Sequence, residues 1–247
     1  MKYAVISDIH SNYEALFCVL EDIKIEKVDK IYCCGDIVGY GPSPNECIEL
    51  IKSYNNVISV LGNHDVAVLG KSDLSWFNKN AREAIIINQQ LLIQQNLLFL
   101  EKLPHKIEET DLLFVHGSPR DNIYEYLFTI QLLRTNIKLF NQQVCFCGHT
   151  HIPIVYLFNF ITGQENIIIP TANNQVVNIE NDTKYIINVG SVGQPRDGNP
   201  KSCYVIFDTD KKIIEYKRIE YNISVVQQKM RMLNIPEFLI SRLEFGE

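Results

Sequence analysis

Short apolar runs and helical stretches alternate along the first third of the chain. Three apolar runs rich in β-forming residues predict strands at residues 3–6, 31–34 and 57–61. Residues 13–25 carry apolar side chains at helical spacing. A second helix is expected from Pro44, because Ser43 suits a capping position and proline suits the first turn. Strand, polar loop and helix in this order predict a parallel α/β sheet.

The middle of the chain continues the same pattern. Residues 78–103 have helical spacing up to Pro104, and residues 127–140 predict a further helix. Apolar runs that predict strands stand on either side of this last helix, at residues 112–115 and 144–147.

After Ile152 the pattern changes to short alternating strands separated by turn residues. These predict a second, mainly antiparallel sheet, formed by residues 154–158, 166–169, 176–179, 185–189, 203–208 and 213–219. The amphipathic tail at 224–243 is interrupted by Pro236 and predicts two short helices. Its apolar face is expected to pack against the sheet, and use in homo-oligomer formation is left open.

The expected fold class is α/β, with two packed mixed β-sheets flanked by helices. No repeat, low-complexity segment or linker divides the 247 residues, so a single domain spanning 1–247 is expected. Within this domain we expect a helical cap at about 66–110 and C-terminal helices at about 222–243.

Polar clusters follow five of the apolar runs. They are Asp8-Ile9-His10, Gly35-Asp36, Gly62-Asn63-His64-Asp65, His116-Gly117 and Gly148-His149-Thr150-His151. The loops beyond the carboxyl ends of strands in an open α/β sheet converge on one crevice. We therefore expect one site with three aspartates, an asparagine and five of the six histidines.

A divalent metal centre accounts for such a group. Clustered carboxylates and buried imidazoles are unfavourable without partners, and a cation satisfies both. Mixed imidazole and carboxylate ligands suit manganese, iron, zinc, cobalt or nickel, whereas magnesium and calcium prefer oxygen ligands. The ligands are too many for one ion, which indicates two metals that share a carboxylate.

Composition narrows the partners and the compartment. The net charge of −6 disfavours a stable nucleic-acid partner, which normally requires a basic face. The seven cysteines have no disulfide spacing and fit small buried side chains in a reducing compartment. With no signal segment and no apolar run long enough for a membrane span, we expect a cytoplasmic location.

The order of these clusters resembles the calcineurin-like metallophosphoesterase superfamily. The shared motifs are Asp-x-His, Gly-Asp, Gly-Asn-His-Asp, His and Gly-His-x-His, from Asp8 to His151. The segment from Asn188 to Tyr204 resembles compact bacterial and archaeal phosphodiesterases or diadenosine polyphosphate hydrolases. The resemblance implies a four-layer αββα sandwich and a hydrolase of phosphate esters. The cap and the tail match the family weakly.

The resemblance also implies a role for each motif residue. Two divalent ions are implied, with manganese as the expected identity. Their ligands would be Asp8, His10 and His151 for the first ion, Asn63, His116 and His149 for the second, and Asp36 as the bridge. His64 would face the substrate as a catalytic residue, steered by Asp65.

General chemistry then supplies an expected mechanism. Two ions lower the pKa of a bridging water towards roughly 7, and the resulting hydroxide attacks phosphorus in line. Protonated His64 donates a proton to the leaving group. Arg120 and Arg196 are candidates for clamping phosphate oxygens, and Asn12, Tyr40 and Tyr124 for lining the substrate pocket.

The substrate class stays open among several phosphate esters. A phosphodiester or dinucleoside polyphosphate, as a small-molecule or nucleotide substrate, is expected first. A serine/threonine protein phosphatase or a phosphomonoesterase is the alternative within enzymes. A non-catalytic scaffold is the alternative outside them, and the presence of His64 disfavours it.

Overall fold

Twelve strands and eight α-helices make up the computed structural model, which describes residues 1–247. The strands are β1 (Lys2–Ile6), β2 (Lys30–Cys33), β3 (Val57–Ser59), β4 (Lys106–Glu108), β5 (Leu112–Val115), β6 (Val144–Cys147), β7 (Ile154–Asn159), β8 (Glu165–Ile168), β9 (Gln175–Asn178), β10 (Thr183–Asn188), β11 (Ser202–Asp208) and β12 (Ile213–Ile219). The helices are α1 (Tyr13–Glu26), α2 (Pro44–Lys52), α3 (Asn63–Val68), α4 (Lys79–Leu91), α5 (Gln94–Glu101), α6 (Ile130–Asn136), α7 (Ile223–Met232) and α8 (Glu237–Ser241). Short 3₁₀ turns lie at Leu74–Trp76 and Arg242–Glu244.

The strands form two mixed sheets of six strands each. The order of the first sheet is β3-β2-β1-β11-β12-β9, and that of the second is β4-β5-β6-β10-β7-β8. Strands β1, β2 and β3 are parallel neighbours in the first sheet, and β5, β6 and β10 are parallel neighbours in the second. The remaining pairs are antiparallel.

Three apolar cores hold the layers together. The central core joins the inner faces of both sheets, where Tyr32 of the first sheet stacks on Phe114 of the second at a ring-centroid distance of 3.9 Å. A second core packs helices α1, α2, α4, α7 and α8 on the outer face of the first sheet. The third packs α6 on the outer face of the second sheet. The predicted αββα sandwich is therefore confirmed.

The predicted division of the strands between the two sheets is wrong. The later strands do not form a separate antiparallel sheet: β9, β11 and β12 join the first sheet, and β7, β8 and β10 join the second. Strand β11 is buried on both faces and pairs antiparallel with β1, so the first sheet closes around the N-terminal strand. Apolar periodicity identifies a strand but does not determine its partner.

Two predicted helices are shorter in the structure. The expected helix at 78–103 is divided into α4 and α5, because the side chain of Asn45 accepts a hydrogen bond from the Ile93 amide (3.1 Å) and donates one to the Leu91 carbonyl (2.8 Å). The helix expected at 127–140 covers only Ile130–Asn136. The start at Pro44 and the two helices of the tail are confirmed. No helix combines the length and the apolar character that a membrane span requires.

The stacked aromatic side chains of the central core give a direct stability prediction. Phe146 is fully buried, and its ring lies 5.4 Å from that of Phe114. Phe146→Ala is expected to lower the free energy of unfolding by about 3–5 kcal/mol, because it leaves a cavity between the sheets. Urea denaturation measures the change. Phe160→Ala is the matched control, since Phe160 is 55% exposed and should change stability by less than about 0.5 kcal/mol. Equal effects of the two substitutions would contradict this view of the core.

Candidate metal centre

The carboxyl ends of five strands bring the predicted ligands together. Asp8 and His10 follow β1, Asp36 follows β2, and Asn63 lies after β3 at the start of α3. The second sheet contributes His116 after β5, and His149 and His151 after β6. We call these seven side chains the polar cluster: Asp8, His10, Asp36, Asn63, His116, His149 and His151. All seven are at least 95% buried.

The backbone is strained where it presents these side chains. Five members of the polar cluster have a positive φ, a conformation that is uncommon outside glycine. The values are 53° for Asp8, 50° for His10, 53° for Asp36, 67° for His149 and 61° for His151. Strain of this kind persists only where the surrounding structure imposes it, and it concentrates at functional sites.

Two groups of three ligand atoms lie side by side in the polar cluster. In the first group, Asp8 Oδ1 is 3.2 Å from His151 Nε2 and 3.7 Å from His10 Nε2, and the two Nε2 atoms are 3.0 Å apart. The second group consists of Asp36, His116 and His149.

In the second group, His116 Nε2 lies at the centre. It is 3.4 Å from Asp36 Oδ2 and 2.9 Å from His149 Nδ1. The Oδ1 atom of Asn63 lies 2.9 Å from the same nitrogen. Asp36 also approaches the first group, with Oδ2 at 3.6 Å from His10 Nε2.

Backbone carbonyls determine which ring nitrogen of each histidine faces inward. The Nδ1 atoms of His10, His116 and His151 lie 3.2, 2.8 and 2.6 Å from the carbonyl oxygens of Val38, Cys34 and Gln194, respectively. A carbonyl can only accept, so each Nδ1 carries the proton and each Nε2 presents a lone pair inward. In His149 the arrangement is reversed, because Nε2 contacts the Tyr124 carbonyl at 3.2 Å.

This donor set fits a divalent cation. The facing nitrogens of His10 and His151 each present a lone pair, and so do those of His116 and His149, which is repulsive unless a positive charge lies between them. In addition, Asp8 Oδ1 is buried without any hydrogen-bond partner. A cation bound among these atoms would satisfy the lone pairs and the carboxylates together.

Burial raises the pKa values of the carboxylates, which a bound cation would reverse, and lowers those of the imidazoles, which suits metal binding. Burial raises the pKa of the Asp8 carboxyl, and burial together with the charges of Asp65 and Asp8 raises that of Asp36 well above its usual range. Burial lowers the pKa values of His10, His149 and His151 well below the ordinary value. Neutral imidazoles are already suited to bind a cation, whose charge would in turn favour the ionised carboxylates.

An aromatic pocket of about 230 Å³ opens beside the polar cluster. Its lining residues are Tyr40, Asn63, His64, Trp76, Phe77, Asn78, Ala81, Tyr124, Tyr126 and His149. The ring of Tyr126 stacks on His149 at 3.6 Å, and Trp76 meets Tyr124 edge-on at 5.6 Å. Trp76 is nevertheless 70% exposed, an unusual state for the only tryptophan of the chain.

Comparison with known proteins assigns the family. Residues 1–212 match the calcineurin-like phosphoesterase superfamily domain. The chain belongs to this superfamily. It is therefore a metal-dependent hydrolase of phosphate esters, and the predicted family is confirmed. The polar cluster supplies the clustered potential metal ligands that such a phosphoesterase requires.

Relatives of this phosphoesterase include proteins of the same length. It is 44% identical to an uncharacterized protein from Methanocaldococcus jannaschii, over 98% of this chain and 97% of that protein. The crystal structure of a metallophosphoesterase from Sphaerobacter thermophilus superposes with a TM-score of 0.88 at 39% identity, with full coverage of both chains. A symmetrical bis(5'-nucleosyl)-tetraphosphatase from Baumannia cicadellinicola is 38% identical over 28% of this chain, and the match spans only 25% of that enzyme.

His64 lies at the mouth of the polar cluster of the phosphoesterase. Its ring is 4.9 Å from that of His10, 4.3 Å from Tyr40 and 5.2 Å from Phe77. The backbone amide of His64 donates a hydrogen bond to Asp36 Oδ1 at 2.8 Å, and its Nδ1 has no partner. His64 also forms a group of close ligand atoms with His10 and Asp36. The predicted catalytic histidine is thus within reach of the metal centre.

Asp65 does not contact the ring that it was predicted to steer. Its carboxylate accepts hydrogen bonds from the amides of Val38 (3.1 Å) and Gly62 (2.9 Å). Burial raises the pKa of Asp65 to about 6, although those amides oppose the shift. Asp65 therefore connects the loops that carry Asp36 and Asn63. The steering of His64 by Asp65 stays a prediction.

Two of the predicted substrate-binding side chains have other roles. The guanidinium of Arg120 forms an ion pair with Glu125 on the surface. Asn12 caps helix α1, with Oδ1 accepting from the Ala15 amide at 3.1 Å and Nδ2 donating to the Gly193 carbonyl at 2.9 Å. Asn12 also lines a small cavity together with His10 and Tyr40, and both substrate-binding assignments stay predictions.

Arg196 lies beside Tyr40, and the neighbouring aromatic pocket contains residues that the sequence analysis missed. Its Cζ is 5.5 Å from the centre of the Tyr40 ring, which was predicted to line the pocket together with Tyr124. Trp76, Phe77 and Tyr126 were not predicted. They belong to segments without a motif, and only the single tryptophan offered a signal in the sequence.

Proposed function

We propose that this phosphoesterase holds two divalent metal ions, expected to be manganese, and hydrolyses phosphodiesters or dinucleoside polyphosphates. The observation that carries the proposal is Asp36 Oδ2, which lies 3.6 Å from His10 Nε2 and 3.4 Å from His116 Nε2. A carboxylate between two groups of imidazoles is suited to bridge two ions. In this proposal Asp8, His10 and His151 hold one ion, and Asn63, His116 and His149 hold the other. Iron, zinc, cobalt and nickel suit the same ligands.

The chemistry divides between the ions and the side chains. When bound, a pair of divalent ions lowers the pKa of a coordinated water and neutralises the charge of phosphoryl oxygens. The protein fixes where this happens, because backbone carbonyls hold each imidazole in the tautomer that directs its lone pair inward. Burial of the whole cluster excludes competing solvent and strengthens these electrostatic interactions.

His64 is proposed as the group that assists the leaving oxygen. Burial and the charge of Arg196 lower the pKa of its imidazole well below the ordinary value, so the ring is neutral at pH 7 before substrate binds. A bound phosphate brings negative charge, which favours the protonated ring. Its Nδ1 makes no hydrogen bond with the protein, so the protein does not compete for a proton at this nitrogen. Protonated His64 then donates to the leaving oxygen.

The aromatic pocket supports a nucleoside ester as substrate. Trp76, Tyr124 and Tyr126 line the same pocket as His149 and His64, and the Tyr126 ring stacks on His149. Stacking on aromatic side chains is a common way to bind a nucleobase without sequence preference. The partial match to symmetrical bis(5'-nucleosyl)-tetraphosphatases points to the same substrate class.

Two further proposals concern the whole chain. We propose that residues 1–247 act as one domain, which is supported by the pairing of β1 with β11 and by the packing of α1 against α7. A cytoplasmic location is supported by seven free cysteines, six of them buried. The boundaries of the cap at 66–110 stay a prediction.

The proposed function is tested with two chromogenic substrates. Hydrolysis of bis(p-nitrophenyl) phosphate and of p-nitrophenyl phosphate is measured with metal-stripped protein and again after manganese is added. Manganese-dependent hydrolysis with a preference for the diester is expected. Metal content of the active sample, measured by mass spectrometry, should approach two ions per chain.

The other outcomes separate the alternatives. A preference for the monoester would favour a phosphomonoesterase or a serine/threonine protein phosphatase. Absence of hydrolysis with every divalent metal, despite bound ions, would contradict the diesterase and leave a narrow-substrate enzyme or a scaffold. A single bound ion at full activity would contradict the proposal of two metals.

A further inference from the structure

Two arginine side chains, Arg196 and Arg242, lie near the polar cluster but do not line the aromatic pocket. Arg196 lies in the loop after β10, and its Cζ is 5.5 Å from the Tyr40 ring centre. That ring is in turn 4.6 Å from the His10 ring. Arg242 belongs to the 3₁₀ turn at the C-terminus. The Arg196 amide donates a hydrogen bond to the His151 carbonyl at 3.2 Å, and Leu243, the residue next to Arg242, lines a small cavity together with His10, Tyr40 and Gln194.

These are the two arginines whose donors the protein leaves unsatisfied. Four of the seven arginines pair with a carboxylate: Arg120, Arg134, Arg218 and Arg231. Arg82 donates to two backbone carbonyls. In contrast, Arg196 and Arg242 form no ion pair, and the Nε atom of each is buried without a hydrogen-bond partner. The Arg196 side chain donates one hydrogen bond, from Nη2 to Gln194 Oε1 at 2.8 Å.

Like charges held together in this way are unfavourable without an anion. Burial and the charge of Arg196 lower the pKa of Arg242 to about 10. Both groups still carry a full positive charge at neutral pH. Unpaired charges that are partly removed from water raise the free energy of the folded state, and an anion bound between them reverses the effect. Planar guanidinium groups match the geometry of phosphate oxygens.

The tail holds Arg242 in place beside the loop of Arg196. The Gly198 amide donates a hydrogen bond to the Gly246 carbonyl at 2.9 Å, which joins the end of the chain to that loop. Gln227 Nε2 donates to the Ile240 carbonyl at 3.0 Å, and Leu243 is 96% buried. The Arg242 guanidinium lies over the Phe238 ring at 5.3 Å. A site prepared in this way loses little conformational entropy when an anion binds.

We propose that Arg196 and Arg242 together bind a second phosphoryl group, adjacent to the one that is hydrolysed. The preferred substrates then carry at least two linked phosphates, which deepens the proposed function and rests on it. Arg242 lies outside residues 1–212, the part of the chain that matches the superfamily domain. The subsite is therefore a feature of this tail rather than of the shared metal centre.

The pocket and the arginines place such a substrate along the site. Aromatic side chains meet the polar cluster at His149, whereas Arg196 lies next to His151 and over the Tyr40 ring, which contacts His10. A nucleoside in the pocket and a second phosphate at the arginines would leave the scissile phosphorus at Asp36, between them. Hydrolysis at that phosphorus adds water across one P–O bond, and no co-reactant is needed.

Arg242→Gln tests the subsite, with Arg231→Gln as the matched control. Both arginines lie in the tail, but Arg231 is half-exposed and pairs with Glu237. On a dinucleoside tetraphosphate, Arg242→Gln is expected to lower kcat/KM by about 10- to 100-fold, the effect of removing a charge-assisted hydrogen bond. On bis(p-nitrophenyl) phosphate, which has one phosphate, the change should stay below about twofold. Arg231→Gln should leave both substrates unchanged, and Arg242→Lys should restore part of the loss.

A binding measurement makes the test independent of turnover. Calorimetry of imidodiphosphate, a non-hydrolysable analogue with two linked phosphates, is carried out on the manganese-loaded protein and compared with inorganic phosphate. Arg242→Gln should weaken imidodiphosphate about tenfold and leave phosphate unchanged. If Arg242→Gln weakened imidodiphosphate and phosphate equally, the arginines would bind a single free phosphate. If it weakened neither, Arg242 would bind neither ligand. Each of these results overturns the proposal.

These outcomes also separate the subsite from the proposed function. If the unaltered protein did not hydrolyse bis(p-nitrophenyl) phosphate, the proposed diesterase activity would be contradicted. The comparison of imidodiphosphate with phosphate would still test whether the two arginines bind a second phosphate. An equal loss of activity on both substrates in Arg242→Gln would assign the residue to the fold of the tail. Thermal unfolding of the three variants identifies that case, because a structural role lowers Tm and a binding role does not.

Discussion

Replacing His64 with alanine is expected to lower kcat by about 10²- to 10⁴-fold while the bound metal is retained, as for the loss of a general acid. The ring lies 4.9 Å from that of His10 and faces the pocket, but backbone contacts hold the loop, with the His64 amide donating to Asp36 Oδ1 at 2.8 Å. The substitution keeps that amide. The metal ligands should therefore stay in place, and steady-state kinetics with metal analysis measures both effects.

The size of the effect of His64→Ala should depend on the leaving group of the substrate. A p-nitrophenolate leaves readily without a proton, whereas an alkoxide requires one, so His64→Ala should reduce hydrolysis of a nucleoside ester more than that of bis(p-nitrophenyl) phosphate. The control is His105→Ala, which changes the one exposed histidine outside the motifs and should have no effect. Loss of metal in His64→Ala would instead identify His64 as a ligand, in agreement with its proximity to His10 and Asp36. An unchanged kcat would favour the scaffold.

Asp36→Asn is expected to have the second large effect, a loss of about 10³-fold or more in kcat/KM together with a fall in bound metal. An amide in place of the carboxylate can still accept the hydrogen bond from the His64 amide through Oδ1. It loses the negative charge between His10 and His116, on which the bridging of two cations depends. Metal analysis and kinetics at saturating manganese measure the result.

Thermal unfolding gives an independent readout of the same substitution. Manganese should raise the Tm of the unaltered protein, because a ligand that binds only the folded state stabilises it. Asp36→Asn should reduce this rise, while the metal-free variant should be at least as stable as the metal-free parent. That last expectation follows from the pKa of Asp36, which burial raises well above its usual range, so that the ionised form is unfavourable without a cation. Retention of two ions by the variant would contradict the bridging role.

The sequence predicted the polar cluster because a general rule of α/β folds places it. Side chains that follow parallel strands at their carboxyl ends converge, whichever sheet each strand joins. Asp8, Asp36 and His116 therefore come together even though β1 and β2 belong to one sheet and β5 to the other. The two tail helices could be predicted from local pattern, whereas the family and the αββα sandwich were implied by the resemblance of the motifs.

Other features depended on contacts between segments far apart in sequence. The pairing of β11 with β1 determined which sheet the later strands β11 and β12 join. The hydrogen bonds of Asn45 determined where the predicted helix at 78–103 is interrupted. Asp65 ends one motif and Asn12 lies two residues after another, but the side-chain oxygens of both accept hydrogen bonds from backbone amides, which periodicity does not reveal. Local pattern predicts a side chain's neighbourhood along the chain and not its hydrogen-bond partner.

Arg242 shows the same limit most clearly. It is 46 residues from Arg196 and belongs to a tail that the sequence analysis treated only as a packing or oligomer surface. The docking of Gly246 on the amide of Gly198 brings the two guanidinium groups to one side of the metal centre. The sequence by itself determined the polar cluster, because strand ends position its side chains. Only the tertiary structure decided which charges remain unpaired beside those side chains, because pairing depends on distances across the fold.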